Sequence, residues 1–179
     1  MSTFALDPTH SSVEFSVRHM MFSKVRGVFG SFSLELAVDD ATSLPSSVKA
    51  EIDAASIDTK VADRDAHLRS ADFLDVEKFP KIAFESTAIT GKANAFTIAG
   101  NLTIHGVTKP IALDATLGGR AKDPWGNDRI AYEASTKINR KEFGLTWNQA
   151  LEAGGVLVGE DIEITLTIQA VKVGAPAAV

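Results

Sequence analysis

Apolar and polar side chains alternate along most of this chain. Near its C-terminal end, Ile162, Ile164, Leu166 and Ile168 occupy every second position, with glutamate or threonine between them. Successive side chains of a β-strand point to opposite faces of the sheet, so each such segment has one apolar face and one polar face. The alternation predicts eight strands, at residues 13–18, 28–38, 48–54, 82–85, 96–104, 111–117, 130–138 and 162–171.

Short turns separate most of the predicted strands. They include Asp39-Asp40, His105-Gly106 and Gly118-Gly119, which are residue types that favour turns. Connections this short favour antiparallel neighbours. The apolar faces must be covered, and a sheet that closes into a barrel covers them in its interior and removes its free edges. The sequence therefore predicts an all-β fold, an eight-stranded antiparallel up-and-down barrel.

One segment, at about residues 60–71, does not alternate and predicts a short helix. Val61, Arg64, Asp65 and Leu68 fall on one stripe of that helix, so this stripe should face the barrel. Because the helix lies between two strands of a barrel chain, we expect it to close one of the two open ends.

The composition limits the classes of function. A chain of 179 residues that is 45% hydrophobic suits one barrel domain at 1–173, with a flexible tail at 174–179. The net charge of −5 argues against a nucleic-acid partner. The chain lacks the run of about 18 apolar residues that an integral membrane segment needs. The first residues show no signal-peptide pattern, which predicts a cytoplasmic location, or a periplasmic one if an export signal was removed.

Signatures of catalysis and metal binding are missing from the sequence. No Gly-x-Ser-x-Gly nucleophile motif, no phosphate-binding glycine-rich loop and no dinucleotide fingerprint occurs. The four histidines, His10, His19, His67 and His105, do not have the spacing of metal ligands. We therefore expect no catalytic residue, no metal and no cofactor.

The interior of an eight-stranded barrel is either packed by its own side chains or holds one small ligand. The apolar faces mix large residues with small ones, among them Ala50, Gly100, Ala115 and Ala134. Small residues that point inward either leave a cavity or sit opposite large rings and fill a tapered core. Both interpretations stay open at this point.

A set of motifs distributed along the chain resembles one known family. These motifs are DPTHSSVEFSVRHM at 7–20, VRGVFG at 25–30, SIDT at 56–59, RDAHL at 64–68, DFLD at 72–75, FPKIAFES at 79–86, LTIHGVTK at 102–109, RKEFG at 140–144 and VGEDI at 158–162. In this order they are similar to the YceI-like family of polyisoprenoid-binding proteins. The resemblance covers roughly residues 4–172, and it implies a lipocalin-like barrel with an elongated apolar tunnel.

The resemblance also implies a ligand, namely a long-chain isoprenoid lipid such as a polyprenyl phosphate or isoprenoid quinone, or a fatty-acid-like lipid. The alternation and the apolar loops then predict the residues that line the tunnel. They are Phe15, Val17, Met20, Phe22, Val28, Phe32, Leu34, Ile52, Leu68, Phe73, Ile82, Phe84, Leu102, Ile104, Leu113, Phe143 and Trp147. We expect non-catalytic binding or transport of this lipid.

Two roles stay open for the polar residues of the predicted helix. Arg64 and His67 are candidates to bind a polar head such as a phosphate at one end of the tunnel. Alternatively, Arg64 pairs with Asp65 and fixes the helix on the barrel, which we favour because charges beside an apolar core need partners. A different hypothesis makes Arg64, Asp65 or His67 part of a cyclase or isomerase that acts on an apolar substrate. A packed barrel that serves protein interaction is a third, and a homodimer stays open.

Overall fold

The computed structural model describes residues 1–174. The predicted tail lies, from residue 175 onward, outside the described residues. The strands are β1 (Ser2–Leu6), β2 (Ser12–His19), β3 (Ser23–Phe29), β4 (Phe32–Val38), β5 (Pro45–Asp53), β6 (Ile57–Asp58), β7 (Lys81–Lys92), β8 (Ala95–Ile104), β9 (Val107–Lys122), β10 (Asp128–Asn139) and β11 (Val158–Lys172). The helix is α1 (Ala62–Arg69), and 3-10 turns occur at Pro8–His10, Ala54–Ser56 and Arg140–Phe143.

The sheet closes on itself through its first strand. Phe4 of β1 lies opposite Leu36 of β4 on one side and opposite Lys172 of β11 on the other. β1 and β2 together occupy one strand position of the barrel, since both pair with β11. β3 and β4 together occupy the next position, and β6 and β5 the position after that. All pairs are antiparallel, and β7 to β11 follow one another around the barrel in sequence order, so the predicted eight-stranded up-and-down barrel is confirmed.

The chain changes phase between β3 and β4 and again within β7. Phe29 and Phe32 both line the interior although three positions separate them, because the chain breaks its pairing at Gly30 between β3 and β4. In β7, the register shifts between Ser86 and Ala88. A shift of one residue moves every later side chain to the opposite face. The alternation therefore marks only part of these strands, and β7 is longer than the predicted 82–85.

The predicted helix is present as α1, after β6 and before the segment that leads to β7. Its Leu68 packs against the core, and Asp65 is 7% exposed, whereas Val61 just before the helix is 45% exposed. The helix therefore presents part of the predicted stripe to the barrel. No helix within residues 1–174 has the length and apolar character needed to span a membrane.

The barrel end opposite α1 is closed by packing and ion pairs. Phe4, Val38 and Ile130 are at most 1% exposed there. At the same end Arg120 Nη2 lies 2.7 Å from Asp128 Oδ2, with the Arg120 guanidinium above the Phe4 ring. Dense packing thus fills this end, whereas α1 and the loops beside it lie at the other end, which is called the mouth below.

Candidate functional site

The barrel interior contains a cavity of about 530 Å³, which lies within the range of about 300–1,000 Å³ typical of small-molecule sites. The inward side chains of the strands form its wall, and almost all of them are apolar. Small residues open part of this space, since Ala50, Ala115 and Ala134 belong to the wall. Gly100 has the other role: a Cβ there would lie 2.4 Å from Cζ of Phe84, so this glycine accommodates the Phe84 ring.

The structure brings most of the predicted lining residues together on this wall. Those that line the cavity are Phe15, Val17, Phe32, Leu34, Ile52, Leu68, Phe73, Ile82, Phe84, Leu102, Ile104, Leu113 and Trp147. They come from strands around the whole barrel and from the segment around α1. Their contacts with a ligand stay a prediction.

Four predicted lining residues lie elsewhere. Val28 is on the outer phase of β3, opposite Glu14 and Asp58, because the phase change at Gly30 separates it from the inward residues of β4. Phe143 is 1% exposed and packs in the buried core outside the cavity wall.

Met20 and Phe22 are the other two, and both belong to the turn between β2 and β3. They are 38% and 79% exposed, because this hairpin tip projects its side chains into solvent. The sequence signal that placed them in the tunnel was their apolar character alone, and that character does not distinguish a cavity wall from a solvent-exposed tip.

A group of ionisable residues enters the wall near α1, and this group borders the mouth of the cavity. Arg18, His19, Asp63, Arg64 and His67 are the ionisable side chains of that region that contact it. The rest of the wall is mostly apolar, and its polar members include Glu14, Ser33, Tyr132 and Thr136. The site therefore combines a long apolar interior with one charged opening, which is the arrangement that an amphiphilic molecule requires.

His67 stands at the centre of an aromatic cluster in this mouth. Its ring lies edge-on to Phe73 and to Trp147, with centroids 5.1 and 4.7 Å apart, and its Nε2 is 2.8 Å from Asp72 Oδ2. The indole of Trp147 is half-buried and lines the cavity. Phe73 and Trp147 thus surround the His67 imidazole with aromatic rings at the entrance.

Arg64 is tied to Thr59 and not directly to Asp65. Its Nε donates to Thr59 Oγ1 at 2.8 Å, and its Nη2 donates to the Thr59 carbonyl at 2.9 Å. Asp65 Oδ1 accepts from the backbone N–H of Thr59 at 2.9 Å and from its hydroxyl. The expected direct pair is therefore corrected: Thr59, which is 4% exposed, connects the two charges, whereas the sequence suggested Thr59 only as a candidate cap of the helix.

Arg140 is a buried cation that the sequence analysis did not assign to the site. Its side chain is 2% exposed and contacts the cavity. Its guanidinium donates to the carbonyls of Gly159, Leu145, Trp147 and Val158. Burial lowers the pKa of Arg140, but an arginine retains its proton in proteins. The only available signal was its position in the RKEFG motif, directly after the last residue of β10.

The mouth carries charged side chains of both signs. Among residues 1–174, no three histidine, aspartate or glutamate side chains are placed so that they could hold a metal ion. The Asp65 carboxylate is engaged by Thr59 and 7% exposed. The other groups at the mouth are Arg18, Arg64 and His67, the carboxylates of Asp63 and Asp72, and the aromatic rings.

Comparison with known proteins identifies relatives over nearly the whole chain. A family model described as the YceI-like domain matches residues 4–170. A curated relative from Serratia proteamaculans, the UPF0312 protein, is 38% identical over 163 residues, which cover 91% of this chain and 82% of the relative.

Solved structures show the same barrel. The YCEI protein of Campylobacter jejuni superposes with a TM-score of 0.76 at 29% identity, over 88% of this chain and 90% of that one. A polyisoprenoid binding domain from Saccharophagus degradans superposes with a TM-score of 0.68 at 15% identity, over 97% of this chain and 100% of that one. At this second level of identity the likeness concerns the fold alone.

Proposed function

This chain belongs to the YceI-like domain family, and on that premise we propose that it binds and carries a long-chain isoprenoid lipid without catalysing a reaction. The observation that carries the proposal is the cavity itself, about 530 Å³ of mostly apolar space with a group of ionisable side chains near α1. A wall with so few polar groups favours a hydrocarbon chain over a polar substrate.

Burial of the chain supplies the binding energy. Each methylene removed from water contributes about 0.8 kcal/mol, and a prenyl chain of several units has many carbons to bury. Association costs about 4–15 kcal/mol in lost freedom, so a long chain is held where a single isoprene unit is not. The solved S. degradans barrel of this fold is described as a polyisoprenoid binding domain, and we extend that ligand class to this chain.

The polar head of the lipid would remain at the mouth. His67 and Trp147 border the opening, and Arg140 adds positive charge behind them. A polyprenyl phosphate or an isoprenoid quinone satisfies this arrangement. The bonds that hold Arg64 and Asp65 to Thr59 support a binding protein over a cyclase or isomerase, since a catalytic acid or base must reach its substrate.

Extraction of the purified protein with organic solvent, followed by mass spectrometry, tests this function. Protein purified without detergent should release an isoprenoid lipid. After delipidation it should bind added prenyl phosphates or quinones, observed through Trp147 fluorescence in a Trp125→Phe variant, because the chain has two tryptophans. A protein that is empty in every preparation and gains no melting temperature from these lipids or from fatty acids contradicts the proposal.

A matched pair of variants locates binding in the barrel. Ala134 lines the cavity, and its neighbour Ser135 lies on the outer phase of β10. Ala134→Phe should fill the cavity and weaken binding at least about tenfold, while Ser135→Phe places the same ring outside and should leave affinity unchanged. Equal affinity in both variants means that the lipid binds elsewhere.

A further inference from the structure

The turn between β2 and β3 exposes three consecutive apolar side chains. Met20, Met21 and Phe22 are 38%, 58% and 79% exposed. Isolated exposed apolar residues are common on proteins, but a contiguous group at the end of a projecting hairpin is not. These three residues are called the hairpin tip below.

The backbone of the hairpin tip is strained in a way that its residue types do not explain. Met20 has φ of 52° and Met21 has φ of 70°, in the left-handed region that disfavours side chains with a Cβ. Hairpin turns that need this conformation generally use asparagine or glycine. Methionines here point to a function for the apolar side chains themselves, beyond the geometry of the turn.

The hairpin tip borders the cavity mouth. The backbone N–H of Met20 donates to the carbonyl of Leu157 at 2.8 Å, and Leu157 lines the cavity. Met21 packs against Gly155, since a Cβ added to Gly155 would lie 3.0 Å from the Met21 Sδ. A surface that engages the tip therefore also faces the opening through which a ligand enters.

Positive charge flanks the hairpin tip. Arg18 and Lys24 are opposite each other across the hairpin, and Arg26 follows at the next outward position of β3. All three are exposed, and residues 15–28 contain no acidic side chain in a chain of net charge −5. Lys24 Nζ lies 3.1 Å from Glu163 Oε2. Within residues 1–174, neither Arg18 nor Arg26 forms an ion pair with a carboxylate.

We propose that the hairpin tip inserts Met21 and Phe22 into the interface of an anionic lipid membrane. This rests on the proposed function, since it turns the cavity mouth toward the bilayer from which a lipid ligand is taken. Apolar side chains at the level of the acyl boundary, with arginine and lysine at the level of the headgroups, is the arrangement that interfacial membrane binding requires. The opposite end of the barrel differs, because its exposed Trp125 is flanked by Asp123 and Asp128.

Vesicle co-sedimentation tests the proposal with two matched variants. The wild-type protein should sediment with vesicles of phosphatidylcholine and phosphatidylglycerol, and much less with phosphatidylcholine alone or at high salt. Met21→Asn with Phe22→Ser removes the two most exposed apolar side chains and relieves the left-handed strain at position 21. It should reduce binding at least about tenfold without lowering the melting temperature. Trp125→Ser removes an equally exposed aromatic from the far end and should leave vesicle binding intact.

Two further measurements test the role of the charges and the identity of the partner. Arg18→Gln with Arg26→Gln should abolish the preference for phosphatidylglycerol vesicles. A wild-type protein that ignores both kinds of vesicle, or a tip variant that still sediments, overturns the proposal. So does a dimer in sedimentation velocity that the tip variant abolishes, because that would assign the tip to a second copy of this chain.

A separate measurement distinguishes failure of the proposed function from failure of membrane docking. Titration of the delipidated protein with a detergent-dispersed prenyl phosphate measures cavity binding without a membrane. Normal titration by the tip variant with lost vesicle binding supports both proposals. Vesicle binding without any titration refutes the lipid-carrier function alone, and titration without vesicle binding in the wild-type protein refutes the docking alone.

Discussion

The main-chain carbonyl of Trp147 accepts a hydrogen bond of 3.0 Å from Arg140, a side chain that is 2% exposed. The same guanidinium also holds the carbonyls of Leu145 and Gly159. One buried cation thereby joins the segment before Trp147 to the start of β11, and it fixes the position of the indole at the cavity mouth. Carbonyl oxygens accept all the hydrogen bonds of this guanidinium, and the Glu160 carboxylate acts on it only as a nearby charge.

Replacement of this arginine should destabilise the mouth. Arg140→Ala leaves several buried carbonyls without donors, and we expect the free energy of unfolding to fall by about 3 kcal/mol or more. Arg140→Lys retains the charge but cannot reproduce the planar fork, so it should recover only part of the loss. Urea unfolding measures both, and Trp147 emission should shift to longer wavelength. An Arg140→Ala variant of normal stability that loses affinity only for charged lipids would instead make Arg140 a head-binding residue.

The register of β8 predicts opposite effects for two adjacent positions. Ile104 is 7% exposed and lines the cavity, while the Thr103 hydroxyl is paired with Thr108 on the outer face. Ile104→Glu buries a carboxylate without a partner and should cost about 3–5 kcal/mol, with loss of lipid binding. Thr103→Glu should fold and bind normally. Similar thermal melts and affinities for the two variants would show that the register of this strand is misassigned.

Much of the fold was predictable because one face of every strand is buried. The period of two survives wherever the strand is regular, and β8, β10 and β11 follow it closely. The phase changes at Gly30 and at Ser86 could not be predicted, since a one-residue shift leaves no compositional mark. β1 escaped detection because Phe4 is its only side chain in the buried core, and its role in closing the barrel depends on partners more than thirty residues away.

The site was predictable to a different degree in its wall and in its mouth. Wall positions follow from the strand alternation. Mouth residues lie on α1, on a 3-10 turn and on loops, where side-chain direction depends on long-range hydrogen bonds. Thr59 is polar and Arg140 is charged, so sequence reasoning assigns both to the surface, although the structure buries them at 4% and 2% exposure. Their backbone partners cannot be read from residue types.

Acid should weaken the closed end of the barrel. Arg129 bridges Asp7 at 2.8 Å and Asp123 at 2.7 Å. Hydrogen bonds from Arg129 and then from Asn127 lower the pKa of Asp123 from its ordinary value of 3.8. A carboxylate whose pKa is lowered by folding stabilises the fold at pH values above its ordinary pKa, and this stabilisation is lost as the pH falls below it.

Thermal melts from about pH 6 to about pH 2 test this dependence. The melting temperature of the wild-type protein should fall steeply below about pH 4. Asp123→Asn should melt lower at neutral pH and should lose less on acidification, since its contribution is already absent. A variant whose melting temperature falls as steeply as that of the wild-type protein would exclude Asp123 as a source of the acid sensitivity.

The last prediction concerns the role of Arg64. Its Nε and Nη2 are both committed to Thr59, which also holds the buried Asp65. We therefore expect Arg64→Ala to lower the free energy of unfolding by about 1–3 kcal/mol. Affinity for a prenyl phosphate and for a neutral prenyl alcohol should decrease together, because the mouth loosens for both. Thr59→Val breaks the same network without removing a charge, so it should reproduce this pattern.

If Arg64 binds a phosphate head instead, Arg64→Ala should remain stable and lose about 1.5–3 kcal/mol of binding to the phosphate alone. Thr59→Val should then unfold more easily but retain the preference for the phosphate. Parallel calorimetric titrations of the two variants with both lipids separate these outcomes.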